Sequence, residues 1–169
     1  MKLNIGCGGR KVEGFMGVDA VKRPAAEIIA PAHDIPLPDG SVDEIMAIHV
    51  WEHFYLWECD VVIAEWKRLL KPGGILALEM PDVKKCCRNL LKGIMVGGKD
   101  PDQLSYWGLY GDPRSKDQFM SHRWGWTMGT MREFLHKHEF QFINEEQTQW
   151  HPAGRENRDF RVTARKSTR

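Results

Sequence analysis

The run Leu3-Asn4-Ile5-Gly6-Cys7-Gly8-Gly9 joins a short apolar stretch to a glycine-rich turn, and ten residues after Gly9 a second apolar stretch, Phe15-Met16-Gly17-Val18, ends in Asp19. A strand, a tight turn, a second strand and a terminal carboxylate form the usual cradle for an adenosine-bearing ligand. Glycine lets the backbone approach such a ligand closely, and the carboxylate accepts hydrogen bonds from two ribose hydroxyls.

The spacing separates two kinds of cofactor. Only eight residues, Arg10 to Gly17, lie between Gly9 and Val18. A parallel crossover usually needs about 10–12 residues including its helix, so the helix here is one turn at most, or absent. A nicotinamide or flavin dinucleotide rests its pyrophosphate on that helix N-terminus. The third glycine of G-x-G-x-x-G is also missing, since Lys11 stands there. S-adenosylmethionine carries no phosphate and can do without the helix, which disfavours a nicotinamide oxidoreductase. On this turn alone an ordinary strand–loop connection stays open.

At 169 residues the chain reads as a single domain, 1–169, long enough for a real core. Its 24 Lys and Arg against 23 Asp and Glu leave a net charge of +1, so nucleic acid is not an expected partner. No apolar run approaches the ~20 residues that cross a bilayer, and the first strand starts almost at Met1, which argues against a signal peptide. Cys7, Cys59, Cys86 and Cys87 form no C-x-x-C pair. Free thiols fit a cytoplasmic setting. No metal is expected: His49 and His53 lie four apart, but in a strand end and turn rather than on a helix face.

Strands are predicted at Lys2–Ile5, Phe15–Val18, Glu27–Ala30, Glu44–Val50 and Ile75–Met80, all short and rich in Ile, Val and Leu. Trp57–Leu70 reads as a helix with Val61, Val62, Trp66, Leu69 and Leu70 on one face, stopped by Lys71-Pro72-Gly73-Gly74. Val83–Leu91 is a weaker helix. From Lys92 to Thr127 the periodicity fails in a Gly-, Pro- and aromatic-rich segment, the kind that forms a lid or binding loop. A helix capped by Thr127 or Thr130 runs to about His138, with capping-box spacing from Thr130 to Glu133. Phe140–Glu146 and Phe160–Ala164 then read as an antiparallel hairpin at one sheet edge, turning through Pro152, Gly154 and Asn157. The β–α–β order implies an open α/β sheet.

With these elements in order, the chain resembles the class I S-adenosylmethionine-dependent methyltransferases, and among them the small methyltransferase-11-like group. Leu3–Gly8 resembles motif I, and Val18-Asp19 the acidic end of the second strand. Ile35–Asp43 (IPLPDGSVD) is similar to the LPFPDxSFD run. His49-Val50-Trp51-Glu52-His53-Phe54 is similar to the xxVLEHF strand end, and Arg68–Gly74 (RLLKPGG) to the RVLKPGG turn. His122–Thr127 (HRWGWT) matches a segment of some bacterial and phage members.

The resemblance implies a Rossmann-like, mostly parallel seven-stranded sheet with an antiparallel edge hairpin. It implies that Gly6, Cys7 and Gly8 meet the methionine part of S-adenosylmethionine, with Asn4 bonding the turn's N–H groups. Asp19 would hold the ribose, Ala32, His33 and Asp34 would meet the adenine, and His49 would line the floor beneath the sulfonium. Three departures stand out. Asn4 stands where motif I commonly has Asp, although its amide can also bond the turn's N–H groups. Pro31 replaces a common Asp that accepts from the adenine amino group, and the helices that precede the first strand in many relatives have no counterpart before Leu3.

Methyl transfer from a sulfonium needs no acid for its neutral thioether leaving group, and a base only when the acceptor is a hydroxyl or a protonated amine. His122 is the first candidate base and His49 the second, with Glu52 and His53 behind them. A structural His122 and a dipole-favoured Glu52 are the competing readings. Tyr106, Trp107, Tyr110, Trp124 and Trp126 read either as a stacking wall or as a satellite core. The function expected is methyl transfer to a small-molecule or sugar-type acceptor, with residues 92–126 as the acceptor-side lid, His122 near the methyl, and a homodimer completing the wall. The alternative is a non-catalytic cofactor-binding or regulatory protein of the same fold.

Overall fold

The computed structural model describes residues 1–96, 101–149 and 157–168. Pro152 and Gly154, named above, lie outside them. Seven strands, β1 (Lys2–Ile5), β2 (Met16–Asp19), β3 (Ile28–Ile29), β4 (Val42–Ile48), β5 (Leu70–Pro81), β6 (Phe140–Glu146) and β7 (Asp159–Lys166), form one sheet in the order β3-β2-β1-β4-β5-β7-β6. The first five run parallel, and β7 pairs antiparallel with both β5 and β6. The expected parallel sheet with an antiparallel edge pair is what forms.

No helix lies between β1 and β2, as the short spacing requires. Among the described residues the helices are α1 (Leu56–Leu69), α2 (Val83–Lys92), α3 (Pro101–Tyr110) and α4 (Met128–Lys137). Thr127 caps α4 by accepting from Thr130 N, so the reciprocal pair is Thr127–Thr130 rather than Thr130–Glu133. The segment expected to be irregular contains α3 and a 3-10 turn, Gln118–Met120. Helix α3 lacks an amphipathic stripe and carries Gly108 in its interior. It forms because it packs on α2: a Cβ at Gly108 would stand 2.6 Å from Cys86 Sγ. Among the described residues no helix is long and apolar enough to cross a membrane.

The pleat divides the sheet into unlike faces. Leu3, Ile5, Ile45, Ala47, Leu76, Leu78, Val162 and Ala164 sit on one face, in one core with Val62, Ile63, Trp66 and Leu69 of α1 and Met131 and Leu135 of α4. The alternate positions include Asn4, Glu44, Glu79, Arg161 and Thr163, where Arg161 pairs with Glu79 at 3.3 Å and Glu146 at 3.1 Å. Directly after β4, Trp51 is fully buried and meets Trp66 and Phe134, with ring centroids 5.1 and 5.7 Å apart. That aromatic cluster pins the turn Trp51–His53 to the core, and so fixes where Glu52 and His53 stand.

Candidate active site

The glycine turn closes on the end of β2. Gly6 N and Cys7 N both donate to Val18 O, at 2.8 and 3.2 Å. Gly8 N donates to Asp19 Oδ2 at 3.0 Å, and Val21 N to Asp19 Oδ1 at 3.2 Å. Val18 O and Asp19, rather than the Asn4 side chain, therefore take the turn's N–H groups, while Asn4 is buried within β1. Each Asp19 oxygen has accepted one bond and keeps capacity for a second, which suits a ribose diol. Gly6 and Gly8 have φ of 68° and 55°, the left-handed region. A Cβ on Gly8 would meet nothing within 4 Å, so that side of the turn is open to a ligand. At Gly6 a Cβ would stand 2.2 Å from Val50 Cγ2, so the turn lies directly against the residue that follows His49.

The loop after β3 is fastened to α1. Trp66 Nε1 donates to Ala32 O at 2.8 Å, and Ile35 N to Glu65 Oε1 at 2.8 Å. The Ala32 carbonyl is thus engaged, whereas Pro31, His33 and Asp34 are exposed.

Beyond β4 the chain places four ionisable groups together. His49 has a φ of 53°, uncommon for a residue with a side chain, and its N–H donates to Glu79 O at 2.7 Å. Its ring lies between two buried carboxylates, with Nδ1 3.0 Å from Glu52 Oε1 and Nε2 3.4 Å from Asp159 Oδ2. Burial alone would favour the neutral ring, but the bonds to Asp159 and Glu52 raise its pKa to about 9. Burial likewise opposes ionisation of Glu52, and the His49 bond with the charges of His49, His53 and His122 nevertheless holds it down at about 2. Asp159 is held below the ordinary carboxylate range, against its burial, by His49 and by Arg158, whose Nε and Nη2 donate at 2.5 and 2.8 Å. At neutral pH His49 is therefore an imidazolium between two carboxylates.

The long segment returns to this place. His122 Nε2 lies 3.8 Å from Glu52 Oε1, and its ring stands edge-on to His53 with centroids 4.8 Å apart. Arg123 N and Trp124 N donate to Glu52 O at 2.8 and 3.3 Å. Burial pushes the His122 pKa below its ordinary value, with Glu52 opposing. Earlier in the segment, Arg23 of the loop after β2 donates to Asp117 at 2.5 Å. Of the aromatics, Trp126 belongs to the core against Phe134 at 5.2 Å, while Tyr106, Tyr110 and Trp124 are exposed. A surface groove of about 580 Å³ between α4 and β6, lined by Arg132, Glu133, His136 and Phe142, holds none of these groups.

Sequence reasoning missed Asp159 and Arg158 altogether. The available signal was a pair of opposite charges opening an otherwise apolar run, Phe160 to Ala164, since buried charges occur paired.

A parallel sheet in this order, with a glycine turn, an Asp at the end of β2 and an antiparallel edge pair, defines the class I methyltransferase fold. Residues 15–78 match the family described as a methyltransferase domain. The match runs from β2 into β5 and includes Asp19, His49 and Glu52. A relative from Mycolicibacterium smegmatis, described as a probable S-adenosylmethionine-dependent methyltransferase, is 39% identical over 49 residues, 29% of this chain and 18% of that protein. The chain thus spans under a fifth of the length of that relative. Among solved structures, the PH0226 protein of Pyrococcus horikoshii OT3 superposes with a TM-score of 0.65 at 20% identity, covering 98% of this chain and 81% of that one. The 1,6-didemethyltoxoflavin-N1-methyltransferase of Burkholderia thailandensis, with bound 1,6-didemethyltoxoflavin and S-adenosylhomocysteine, gives 0.65 at 15% identity, covering 98% and 70%. A SAM-dependent methyltransferase of Methanosarcina mazei gives 0.61 at 18% identity, covering 99% and 92%. At these identities the likeness is one of fold.

Proposed function

We propose that this chain transfers a methyl group from S-adenosylmethionine to a small-molecule acceptor. The observation that carries the reading is the open Gly8–Asp19 cradle, packed through Gly6 and Val50 directly against the His49–Glu52 edge. The residues present fit the cofactor: Gly6, Cys7 and Gly8 for its methionine part, Asp19 for the ribose, and Ala32, His33 and Asp34 for the adenine. When bound, S-adenosylmethionine supplies an electrophilic methyl on a sulfonium. The protein's part is to orient the acceptor and exclude water.

His49 is a poor base, because it already holds its proton between two carboxylates. Its part is to fix Glu52 and shape the floor. His122 is the better proton acceptor: its Nδ1 donates to Gly108 O at 3.0 Å, so Nε2 presents the lone pair. Residues 92–126 form the acceptor wall in this reading, supported by the contacts of Asp117 with Arg23 and of His122 with Glu52. A homodimer that extends the wall is supported by exposed Tyr55, Leu56, Trp57 and Val61 beside Arg123, whose guanidinium sits 4.7 Å over the Tyr55 ring.

Calorimetric titration with S-adenosylhomocysteine, competed with NADH, tests the cofactor. An acceptor screen with methyl-labelled S-adenosylmethionine tests the reaction, and sedimentation tests the dimer. Preference for NADH would overturn the reading. Tight cofactor binding with no acceptor methylated across broad small-molecule panels would point to the non-catalytic, regulatory alternative.

A further inference from the structure

Three acceptor groups converge where the turn after β4 meets the end of the long segment. His53 Nδ1 donates to Ser121 O at 3.1 Å, and His122 Nδ1 to Gly108 O at 3.0 Å. A carbonyl oxygen only accepts, so each Nδ1 carries the proton and each neutral ring presents a lone pair at Nε2. Glu52 is the third group. Its Oε1 accepts from His49 and stands 3.8 Å from His122 Nε2, too far for a hydrogen bond. Its Oε2 is buried without a hydrogen-bond partner. A buried acceptor left unmet is costly, so such a group signals something that completes it.

We propose that Glu52, His53 and His122 form a binding site for one divalent first-row transition cation of the zinc or cobalt type. One ligand atom from each of the three lies within 4.8 Å of the other two. Metal–ligand bonds of about 2.0–2.2 Å put tetrahedral neighbours roughly 3.4 Å apart. The Glu52–His122 pair is nearly there, and a separation at the 4.8 Å limit closes by about 1.4 Å with a rotation of the half-buried His53. Two imidazoles and a carboxylate are a donor set for these ions rather than for calcium or magnesium. The groups around the ligands agree. Ser121 O and Gly108 O fix both imidazole tautomers and His49 orients the carboxylate, as the outer groups of metal sites do.

The sequence reading set metal binding aside because it paired His53 with His49. The fold instead turns His49 between Glu52 and Asp159 and brings His122 from the long segment to His53. Three protein ligands leave a coordination position open, the pattern of catalytic rather than structural zinc. With the cation bound, His122 Nε2 is a ligand rather than the base; an acceptor oxygen in the open position rests on the methyl-transfer reading, and the cation site itself does not.

The test uses the metal-stripped full chain without cofactor, titrated with Co²⁺ by visible absorption and calorimetry, then displaced with Zn²⁺. A Cys87→Ser background removes the exposed thiol. One equivalent should bind. His53→Ala and His122→Ala should each weaken it by about 100-fold or more, while His136→Ala on exposed α4 leaves it unchanged. Glu52→Gln can unfold the chain by stranding His49, so His53→Ala carries the test, with near-ultraviolet circular dichroism as the check of fold. Absence of saturable binding, or binding unchanged in both histidine variants, overturns the site. S-adenosylhomocysteine binding to the metal-free chain is read separately, so failure of the cofactor reading leaves the metal result standing.

Discussion

Arg23, in the loop after β2, donates to Asp117, 94 residues further on, at 2.5 Å. The contact ties the long segment, five residues before His122, to the loop beside the Asp19 carboxylate. Both side chains are about a third exposed, so the pair adds little to global stability, typically 0.2–1 kcal/mol. Its expected effect is local. Asp117→Ala should leave the melting temperature nearly unchanged while speeding hydrogen exchange around Asp112–Ser121 and the release of S-adenosylhomocysteine. Unchanged exchange and release would show that the contact does not hold the segment closed.

Asp19 carries two tasks that one substitution can separate. It holds Gly8 N and Val21 N, and in the proposed function it also accepts from the ribose. Asp19→Ala should weaken S-adenosylhomocysteine by roughly 1.5–3 kcal/mol, the usual worth of hydrogen bonds to a charged group. Asp19→Asn, which keeps one acceptor oxygen, should fall between the two in calorimetry. Full affinity in Asp19→Ala would remove the ribose assignment.

Two glycines should respond to alanine for different reasons. At Gly8 there is room for a Cβ, but a φ of 55° costs about 1–2 kcal/mol. At Gly17 a Cβ would stand 2.0 Å from Ala25 O, which forces the backbone apart. Gly17→Ala should therefore lower the denaturation midpoint more than Gly8→Ala, whereas Gly8→Ala should cost more cofactor affinity per unit of stability lost. Equal stability losses would contradict the contact at Gly17.

His49 should matter to stability more than a polar residue at a sheet edge normally does. Removing it leaves Glu52 a buried carboxylate without its charged donor, which typically costs about 3–5 kcal/mol. In metal-free buffer His49→Gln should unfold at markedly lower denaturant, and pairing it with Glu52→Leu should recover part of the loss. A His49→Gln variant as stable as the parent would mean that the two groups are not ion-paired.

The sheet was legible in the chain because strand signals are local. Lys2–Ile5 was read with its exact limits, and the missing helix after Gly9 followed from counting eight residues. Helix α1 was read from its apolar stripe and its Pro-Gly stop, but Val61, expected on the buried face, is exposed, and the stop residues run on as the start of β5. Helix α3 was not legible, since its order comes from Gly108 lying against Cys86 rather than from any periodicity of its own.

Sequence alone determined the cradle: Gly6, Gly8 and Asp19 are close in the chain, and short-range geometry leaves them few other arrangements. Tertiary structure decided the rest of the site. Four histidines and carboxylates after β4, in the long segment and at the start of β7 are brought within 4 Å of one another in successive pairs: Asp159 with His49, His49 with Glu52, and Glu52 with His122. No spacing rule encodes those meetings. They follow from β7 pairing beside β5, which sets Asp159 opposite Pro81, and from the parallel bridge of Trp126 to Asp82. Long-range strand pairing and core burial choose these partners, and the ionisable groups are carried to where the backbone places them.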